Sequence, residues 1–333
     1  MFDTVGILIL IVVIAVFGFL ITRTWKLKNA FLKWVGIILS GLLTIIPAAL
    51  LVLALVGFAK LNQHYDNPVA AVQVAGTSAQ VARGQQLAGI CMNCHTTDDR
   101  LPLSGTNFAA KFDTTFLGTF YAPNLTPSGN IKDWTDGEII RAIREGVDDT
   151  GRSLLIMPAG DFRNLSDEDV QALVAYLRSQ PAVGGPTPEN QFNVLGAIFM
   201  NLSDFRTAQQ PVGSVTAPQT GTPEYGKYLI DIHGCADCHG AQLQGKADTG
   251  QPGPPPGPNL TQIVPQWTEE QFINFFNTGT RPDGSKVPMI TLNSGYTEPR
   301  MAWPLVRAST TDDEFKAMYA YLHSLPPVES PTR

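Results

Sequence analysis

Cysteine is scarce in this chain, with four residues in 333. All four lie in two short motifs, Cys91-Met92-Asn93-Cys94-His95 and Cys235-Ala236-Asp237-Cys238-His239. No cysteine is therefore left for a disulfide, a separate zinc cluster or a thiol nucleophile. Histidine is scarce too: only His64, His233 and His323 lie outside the motifs. Two zinc knuckles would need further ligands at suitable spacing, which these do not provide.

Each motif has the form C-x-x-C-H, the attachment signature of a c-type haem. Two thiols add to the vinyl groups of one porphyrin, and the adjacent histidine is held under the iron. A lone C-x-x-C is weak evidence because redox and zinc sites also use it, but two copies followed by histidine are specific. The sequence therefore predicts two haem c groups, attached through Cys91, Cys94, Cys235 and Cys238, with His95 and His239 as iron ligands.

Charged residues are few, 16% of the chain, and the shortfall lies at the N-terminus. Residues 5–22 and 35–59 are apolar runs, and the hydrocarbon core of a bilayer needs about 20 apolar residues of helix. Pro47 in the second run is tolerable in a transmembrane helix, with a kink as the expected result. These runs predict a membrane anchor over residues 1–59.

The loop between the runs, residues 23–34, carries four positive charges and no acid. The positive-inside rule places it in the cytoplasm, and Trp25 and Trp34 lie where interfacial anchors belong. The N-terminus and the haem motifs would then lie on the periplasmic side of a bacterial inner membrane. A cleaved signal peptide is the alternative, but no basic residue precedes the first run.

The net charge also differs between the N-terminal region and the rest of the chain. Residues 1–60 carry a net +4 and the chain as a whole −6, so the remaining residues carry −10. An acidic exposed part argues against nucleic acid and favours a basic soluble electron carrier. Plain solubility explains the same charge equally well.

After the anchor, the sequence reads as two copies of one unit, here called copy one (79–182) and copy two (221–326). Each has a short helix before its motif, a Pro-Asn-Leu-Thr segment, a helix after Trp134 or Trp267, and a last helix capped by a hydroxyl residue. Residues 60–78 would be a tether, 183–220 a linker and 327–333 a tail. The apolar stretch 192–205 could be a helix packed on a partner or on a haem domain.

Each iron needs a second axial ligand, because a methionine closes the sixth position whereas an open position allows substrate chemistry. Met157 is the candidate in copy one. Copy two offers Met301 and Met289. Met301 is preferred because it precedes the last helix at nearly the spacing of Met157, while the distance from Gly284 fits Met289 better. The carbonyl groups of Pro123 and Pro258 are candidate acceptors for the ring N–H of the histidine ligands.

Both copies resemble class I cytochrome c domains. The matching residues are the two motifs, the segment 121–127, Met157-Pro158, and the Ala-Tyr-Leu sequences at 175–177 and 320–322. They look most like the domains of cytochrome subunits of bacterial alcohol and sugar-acid dehydrogenases and of membrane-anchored dihaem cytochromes of respiratory chains. The resemblance implies an all-α fold, covalent haem c, His/Met ligation and one-electron transfer. Copy two departs from it by having Met301-Ala302 where Met-Pro is expected.

The leading interpretation is an electron-transfer subunit, not an enzyme on its own. It would pass electrons between a respiratory or photosynthetic membrane complex and a soluble carrier or terminal acceptor. The second anchor helix exceeds the needs of a tether and suggests docking to other membrane subunits. The main alternative is a cytochrome subunit that accepts electrons from a substrate dehydrogenase. A dihaem peroxidase is less favoured, because it needs an iron without a strong sixth ligand.

Overall fold

The computed structural model describes residues 3–203, 205–249 and 255–331, which are mostly helical. The helices are α1 (Thr4–Thr24), α2 (Ala30–Leu61), α3 (Ser78–Leu87), α4 (Met92–His95), α5 (Phe108–Lys111), α6 (Asp136–Glu145), α7 (Ala159–Phe162), α8 (Asp167–Ser179), α9 (Val194–Ser203), α10 (Pro223–Ile232), α11 (Cys235–His239), α12 (Leu260–Ile263), α13 (Glu269–Thr278), α14 (Trp303–Ser309) and α15 (Asp312–Ser324). Short 3-10 turns span Ala88–Cys91, Thr115–Leu117 and Val264–Gln266. The strands are β1 (Gly118–Thr119), β2 (Gln191–Phe192), β3 (Met289–Thr291) and β4 (Thr297–Pro299), which pair antiparallel as β1 with β2 and β3 with β4.

The chain forms two compact units that do not follow chain order. Of the described residues, unit 1 takes those up to His64 together with Asn107–Tyr121 and Pro188–Arg206, and unit 2 takes the rest. Unit 1 therefore includes part of the region expected to be copy one and part of the expected linker.

Unit 1 is built on α1 and α2, which pack against each other. Asp3 caps α1 by accepting from the Gly6 N–H at 2.8 Å, and Asn29 caps α2 by accepting from the Leu32 N–H at 3.1 Å. Both helices are long and apolar enough to cross a membrane. They contain the predicted runs 5–22 and 35–59, and α2 continues through Pro47.

The apolar stretch at 192–205 lies against the anchor and also against residues 115–118, which belong to the region expected to be copy one. It contains Phe192 of β2 and the whole of α9, and α9 packs on α2. A Cβ on Gly57 would lie 1.9 Å from the Ala197 carbonyl oxygen, so the helices approach at backbone distance. Phe192 pairs with Gly118 in β1. Residues 107–121 thus join the anchor through the β1–β2 pair.

Unit 2 contains copy two and all of copy one except residues 107–121, and each copy is closed by its first and last helix, α3 with α8 and α10 with α15. A glycine stands at each crossing. A Cβ on Gly84 would lie 1.8 Å from the Ala172 carbonyl oxygen, and one on Gly226 would lie 2.0 Å from that of Ala317. The two copies share one apolar core, whose buried side chains include Leu87, Val174, Leu229 and Phe315.

Local signals placed the middle helices correctly. Thr135 and Thr268 are the N-caps of α6 and α13, each in a capping box. Gly146 and Gly279 end these helices in the left-handed conformation, both at φ 65°.

The segment expected to be a tether is packed for much of its length. Tyr65 N–H donates to the Gly151 carbonyl oxygen at 2.7 Å, and Val74 N–H donates to Asp136 Oδ2 at 2.9 Å. A Cβ on Gly137 would lie 2.0 Å from the Ala70 carbonyl oxygen. Residues 65–74 therefore lie along copy one.

Candidate functional site: two cysteine-histidine motifs

Each attachment motif lies on a short helix, so its cysteines and histidine are held close together. Cys91 ends a 3-10 turn that runs into α4, while α11 carries the whole motif of copy two. The thiols are free of disulfides and half-buried. Burial raises the pKa of Cys91 and of Cys235 to about 12 each. These thiols are therefore mostly protonated near neutral pH.

Both histidines of the motifs are oriented by a backbone carbonyl. His95 Nδ1 lies 2.9 Å from the Pro123 oxygen, and His239 Nδ1 lies 2.7 Å from the Pro258 oxygen. The ring N–H donates to the carbonyl, which leaves the Nε2 lone pair for a metal. Burial lowers the pKa of both imidazoles and so favours the neutral form that ligates.

Two asparagines that were not predicted to have a role fix the backbone next to the carbonyl groups of Pro123 and Pro258. Asn124 and Asn259 are buried. Their Nδ2 atoms donate to the carbonyl groups of Val183 and Val328, at 2.7 and 2.8 Å, and each Oδ1 accepts the N–H two residues later. The repeated Pro-Asn-Leu-Thr sequence could have indicated this role. Each asparagine directly follows the proline whose carbonyl group accepts the ring N–H of a histidine.

Met157 and Met301 occupy the same kind of turn. The carbonyl oxygen of each accepts from the N–H two residues later, at 2.8 and 2.7 Å. The residue between, Pro158 or Ala302, has φ and ψ of −78° and 57° or −72° and 43°, close to an inverse γ-turn. Each turn starts a helix, α7 or α14, and both methionines pack against the core of unit 2.

Met289 lies in different surroundings. It stands on β3, in a hairpin closed by the Arg300 N–H donating to the Pro288 carbonyl oxygen at 2.8 Å, and it is 59% exposed. The hairpin is inserted between the loop that follows Gly279 and the turn at Met301. This insertion explains why the distance from Gly284 favoured Met289 while the distance to the last helix favoured Met301.

Of the other histidines, His64 and His323 are exposed and His233 is half-buried. Its Nδ1 donates to the Leu229 carbonyl oxygen at 2.6 Å, and its Nε2 lies 2.9 Å from Ser309 Oγ. Both ring nitrogens are thus engaged within copy two.

The donor sets fit haem c. Each copy offers two thiols and one imidazole on a short segment, a carbonyl group that orients the imidazole, and a methionine at a turn before a helix. Among residues 3–203, 205–249 and 255–331, no group of three or more His, Cys, Asp or Glu side chains could hold a metal ion. Zinc knuckles therefore have no ligand set in this part of the chain.

A buried polar cluster joins the two copies. Arg83 donates to Asp169 of its own copy at 2.8 Å and to Glu314 of copy two at 2.6 Å. Tyr228 of copy two donates to Asp169 at 2.6 Å, and Gln86 of copy one donates to Glu314 at 2.5 Å. Each carboxylate is thus bound by both copies, and we call these five residues the inter-copy cluster.

The helices that follow the two methionines also cross between the copies. Helix α14 packs on the 3-10 turn before Cys91, where a Cβ on Gly89 would lie 2.7 Å from the Ala308 carbonyl carbon. Helix α7 packs on α10, and a Cβ on Gly234 would lie 2.8 Å from Asp161 Oδ2. Each helix therefore contacts the segment leading into the other copy's motif.

Comparison with known proteins supports the same assignment. The cytochrome c family profile matches residues 81–181 and 223–326. Relatives include a subunit of nicotinate dehydrogenase from Pseudomonas putida, 32% identical over 61% of this chain and 18% of that protein, and the cytochrome c subunit of the quinone alcohol dehydrogenase of Gluconacetobacter polyoxogenes, 30% identical over 75% of this chain and 57% of that protein. A diheme cytochrome c-type protein of Cereibacter sphaeroides is 26% identical over 77% of this chain and 89% of its own length. The chain thus covers less than two thirds of the first two relatives.

Proposed function

The chain belongs to the cytochrome c family and is a haem-binding electron-transfer protein, and we propose that it binds two haem c groups and relays electrons from a substrate dehydrogenase. Haem c supplies reversible one-electron chemistry when bound. Cys91 and Cys94 would attach one group and Cys235 and Cys238 the other. The axial ligand pairs would be His95 with Met157 and His239 with Met301.

The shared turn at Met157 and Met301 is the observation that carries the proposed ligation. It gives the two methionines one backbone conformation at the start of one kind of helix. Methionine opposite histidine raises the potential and fills the sixth position. A methionine for each histidine supports electron transfer over a dihaem peroxidase, which would need an open position.

The relatives favour a dehydrogenase partner over the respiratory or photosynthetic complex of the leading expectation. The alcohol, fructose and gluconate dehydrogenase relatives are named as cytochrome subunits. The chain itself is an electron-transfer component and not the catalyst. We place it in a bacterial inner membrane through α1 and α2, with the haem motifs on the periplasmic side, because the loop 23–34 is basic. Its net charge of −10 beyond residue 60 suits a basic soluble acceptor.

The test is purification of the tagged full chain from membranes of its own organism in mild detergent. We expect two haems per chain and a dehydrogenase catalytic subunit in the same complex. The substrate of that subunit should reduce the haems, and untagged membranes provide the control. Recovery of the chain alone, or with an oxidase or photosynthetic reaction centre, would contradict the dehydrogenase assignment.

A further inference from the structure

Helix α9 is apolar on both of its faces. Gly196, Ala197, Ile198 and Met200 are buried within unit 1. On the other side, Leu195 is 52% exposed and Leu202 is 70% exposed, and the half-buried Phe199 lies between them. These three residues are spaced i, i+4 and i+7, so they form one stripe. A helix that is apolar all round normally has no face in water.

This helix meets the anchor at a defined end. A Cβ on Gly57, near the C-terminus of α2, would touch Ala197. Lys60 Nζ donates to the Asn201 carbonyl oxygen at 3.0 Å. The Val194 N–H donates to Asp3 Oδ2, at the N-terminus of α1, at 3.1 Å. Helix α9 therefore lies where α1 begins and α2 ends.

The distance along α2 from the tryptophans to the contact with α9 is close to the thickness of the hydrocarbon core of a bilayer. Trp25 and Trp34 are in contact at the other end, with ring centroids 6.5 Å apart, at the position expected of interfacial aromatic residues. From Trp34 to Gly57 the helix advances about 34 Å, at about 1.5 Å per residue. The hydrocarbon core is about 30 Å thick. Helix α9 is therefore one hydrocarbon thickness away from the tryptophans.

We propose that α9 is a third membrane contact, an interfacial helix whose stripe of Leu195, Phe199 and Leu202 enters the outer leaflet of a phospholipid bilayer. Phe116, in the same unit, is 57% exposed and adds to the apolar surface, and its carbonyl oxygen accepts from Asn193 Nδ2 at 2.9 Å. Helices α1 and α2 of the same unit also expose many apolar side chains. This inference rests on the membrane anchor of the proposed function.

The chemistry of the stripe identifies what it contacts. Residues 190–203 carry no charge, so binding would depend on buried apolar area and not on anionic headgroups. The contact should therefore form on zwitterionic phosphatidylcholine and persist in high salt.

The test uses the full dihaem protein with one added cysteine, at Leu195→Cys or Leu202→Cys, because the native cysteines are consumed by haem attachment. Each is labelled with an environment-sensitive fluorophore and reconstituted in phosphatidylcholine vesicles with or without acyl-brominated lipid. Leu42→Cys, on the exposed face of α2, reports insertion of the anchor, and Glu270→Cys on α13 reports a position in water.

We expect brominated lipid to quench the label at residues 195 and 202 at least half as strongly as at residue 42, in low and high salt, and to leave residue 270 unquenched. Quenching at 42 alone would overturn the interfacial helix while leaving the anchor in place. Absence of quenching at 42 would overturn both the anchor and this inference.

Discussion

The phenolic oxygen of Tyr296 lies 2.7 Å from Asn93 Oδ1, which places the β3–β4 hairpin of copy two on the attachment motif of copy one. The same oxygen lies 2.8 Å from Asp99 Oδ2. Burial, reinforced by the hydrogen bond to Asp99, raises the pKa of Tyr296, so the phenol stays protonated and can donate. An insertion that departs from the repeat therefore contacts a residue inside the Cys-x-x-Cys-His motif of the other copy.

Removing this hydroxyl group should loosen the hairpin. We expect Tyr296→Phe to lower the free energy of unfolding by about 1–2 kcal/mol, because the partly buried carboxylate of Asp99 loses one of its hydrogen-bond donors. Denaturant titration followed by haem absorbance measures the change. Hydrogen exchange of residues 289–299 should also become faster.

Tyr319→Phe is the matched control. The Tyr319 hydroxyl group donates to the Trp267 carbonyl oxygen at 2.8 Å, within copy two. Loss of the Tyr319 hydroxyl group should lower the free energy of unfolding by a similar amount without changing the rate of hydrogen exchange in the hairpin. Equal exchange in the two variants would show that the Tyr296 contact does not hold the hairpin in place.

The contrast between these contacts and the helices shows what the sequence could predict. Thr135 and its helix were predictable because a cap depends on residues three positions apart. The contact between Tyr296 and Asn93 joins residues 203 positions apart and depends on how the copies dock. The short hairpin gave no periodic signal either.

The same limit applies to residues 107–121 and to the inter-copy cluster. The sequence placed 107–121 in copy one, but its β-pairing partner is Gln191–Phe192. Arg83 and Glu314 lie on different copies, and neither carries a motif that names the other. The haem-attaching cysteines and histidines needed no such information, since each motif is contiguous.

The ligand assignment in copy two predicts different effects for its two methionines. Met301→Leu should remove about half of the methionine-to-iron charge-transfer band and lower the potential of one redox step, because leucine cannot ligate iron. Near-infrared magnetic circular dichroism and a redox titration measure both effects. Met157→Leu should remove the other half of the band.

Met289→Leu is the control for this pair, since Met289 is exposed on β3. It should leave the band and both potentials unchanged. The opposite pattern would be loss of half of the band in Met289→Leu and no loss in Met301→Leu. It would reverse the assignment and show that the hairpin moves when haem is attached.

The inter-copy cluster predicts a large loss of stability from a single change. The side chain of Arg83 is 22% exposed, and those of Asp169 and Glu314 are 10% and 9% exposed. Breaking a buried ion pair costs roughly 3–5 kcal/mol. Because Arg83 is partly solvated and other donors remain, we expect Arg83→Gln to cost about 2–3 kcal/mol at pH 7.5, measured by denaturant unfolding.

The pH dependence of that loss tests its electrostatic cause. Burial tends to raise the pKa of Glu314, but Arg83 and hydrogen bonds outweigh it and hold the pKa below its usual range. In the wild type, the ionised carboxylate therefore stabilises the fold above its unfolded pKa of about 4.3, and this stability is lost as pH falls through the lower folded pKa.

Without Arg83, burial should dominate and raise the pKa of Glu314 above its unfolded value. As pH falls from 7.5 to 5, protonation of Glu314 should then raise the free energy of unfolding of the variant. In the wild type, Glu314 should not change the free energy of unfolding over this range. The stability gap between wild type and Arg83→Gln should therefore narrow at pH 5. Arg83→Lys keeps the positive charge, so its smaller deficit should stay constant with pH. A constant gap for Arg83→Gln would mean that the loss comes from packing and not from unpaired charge.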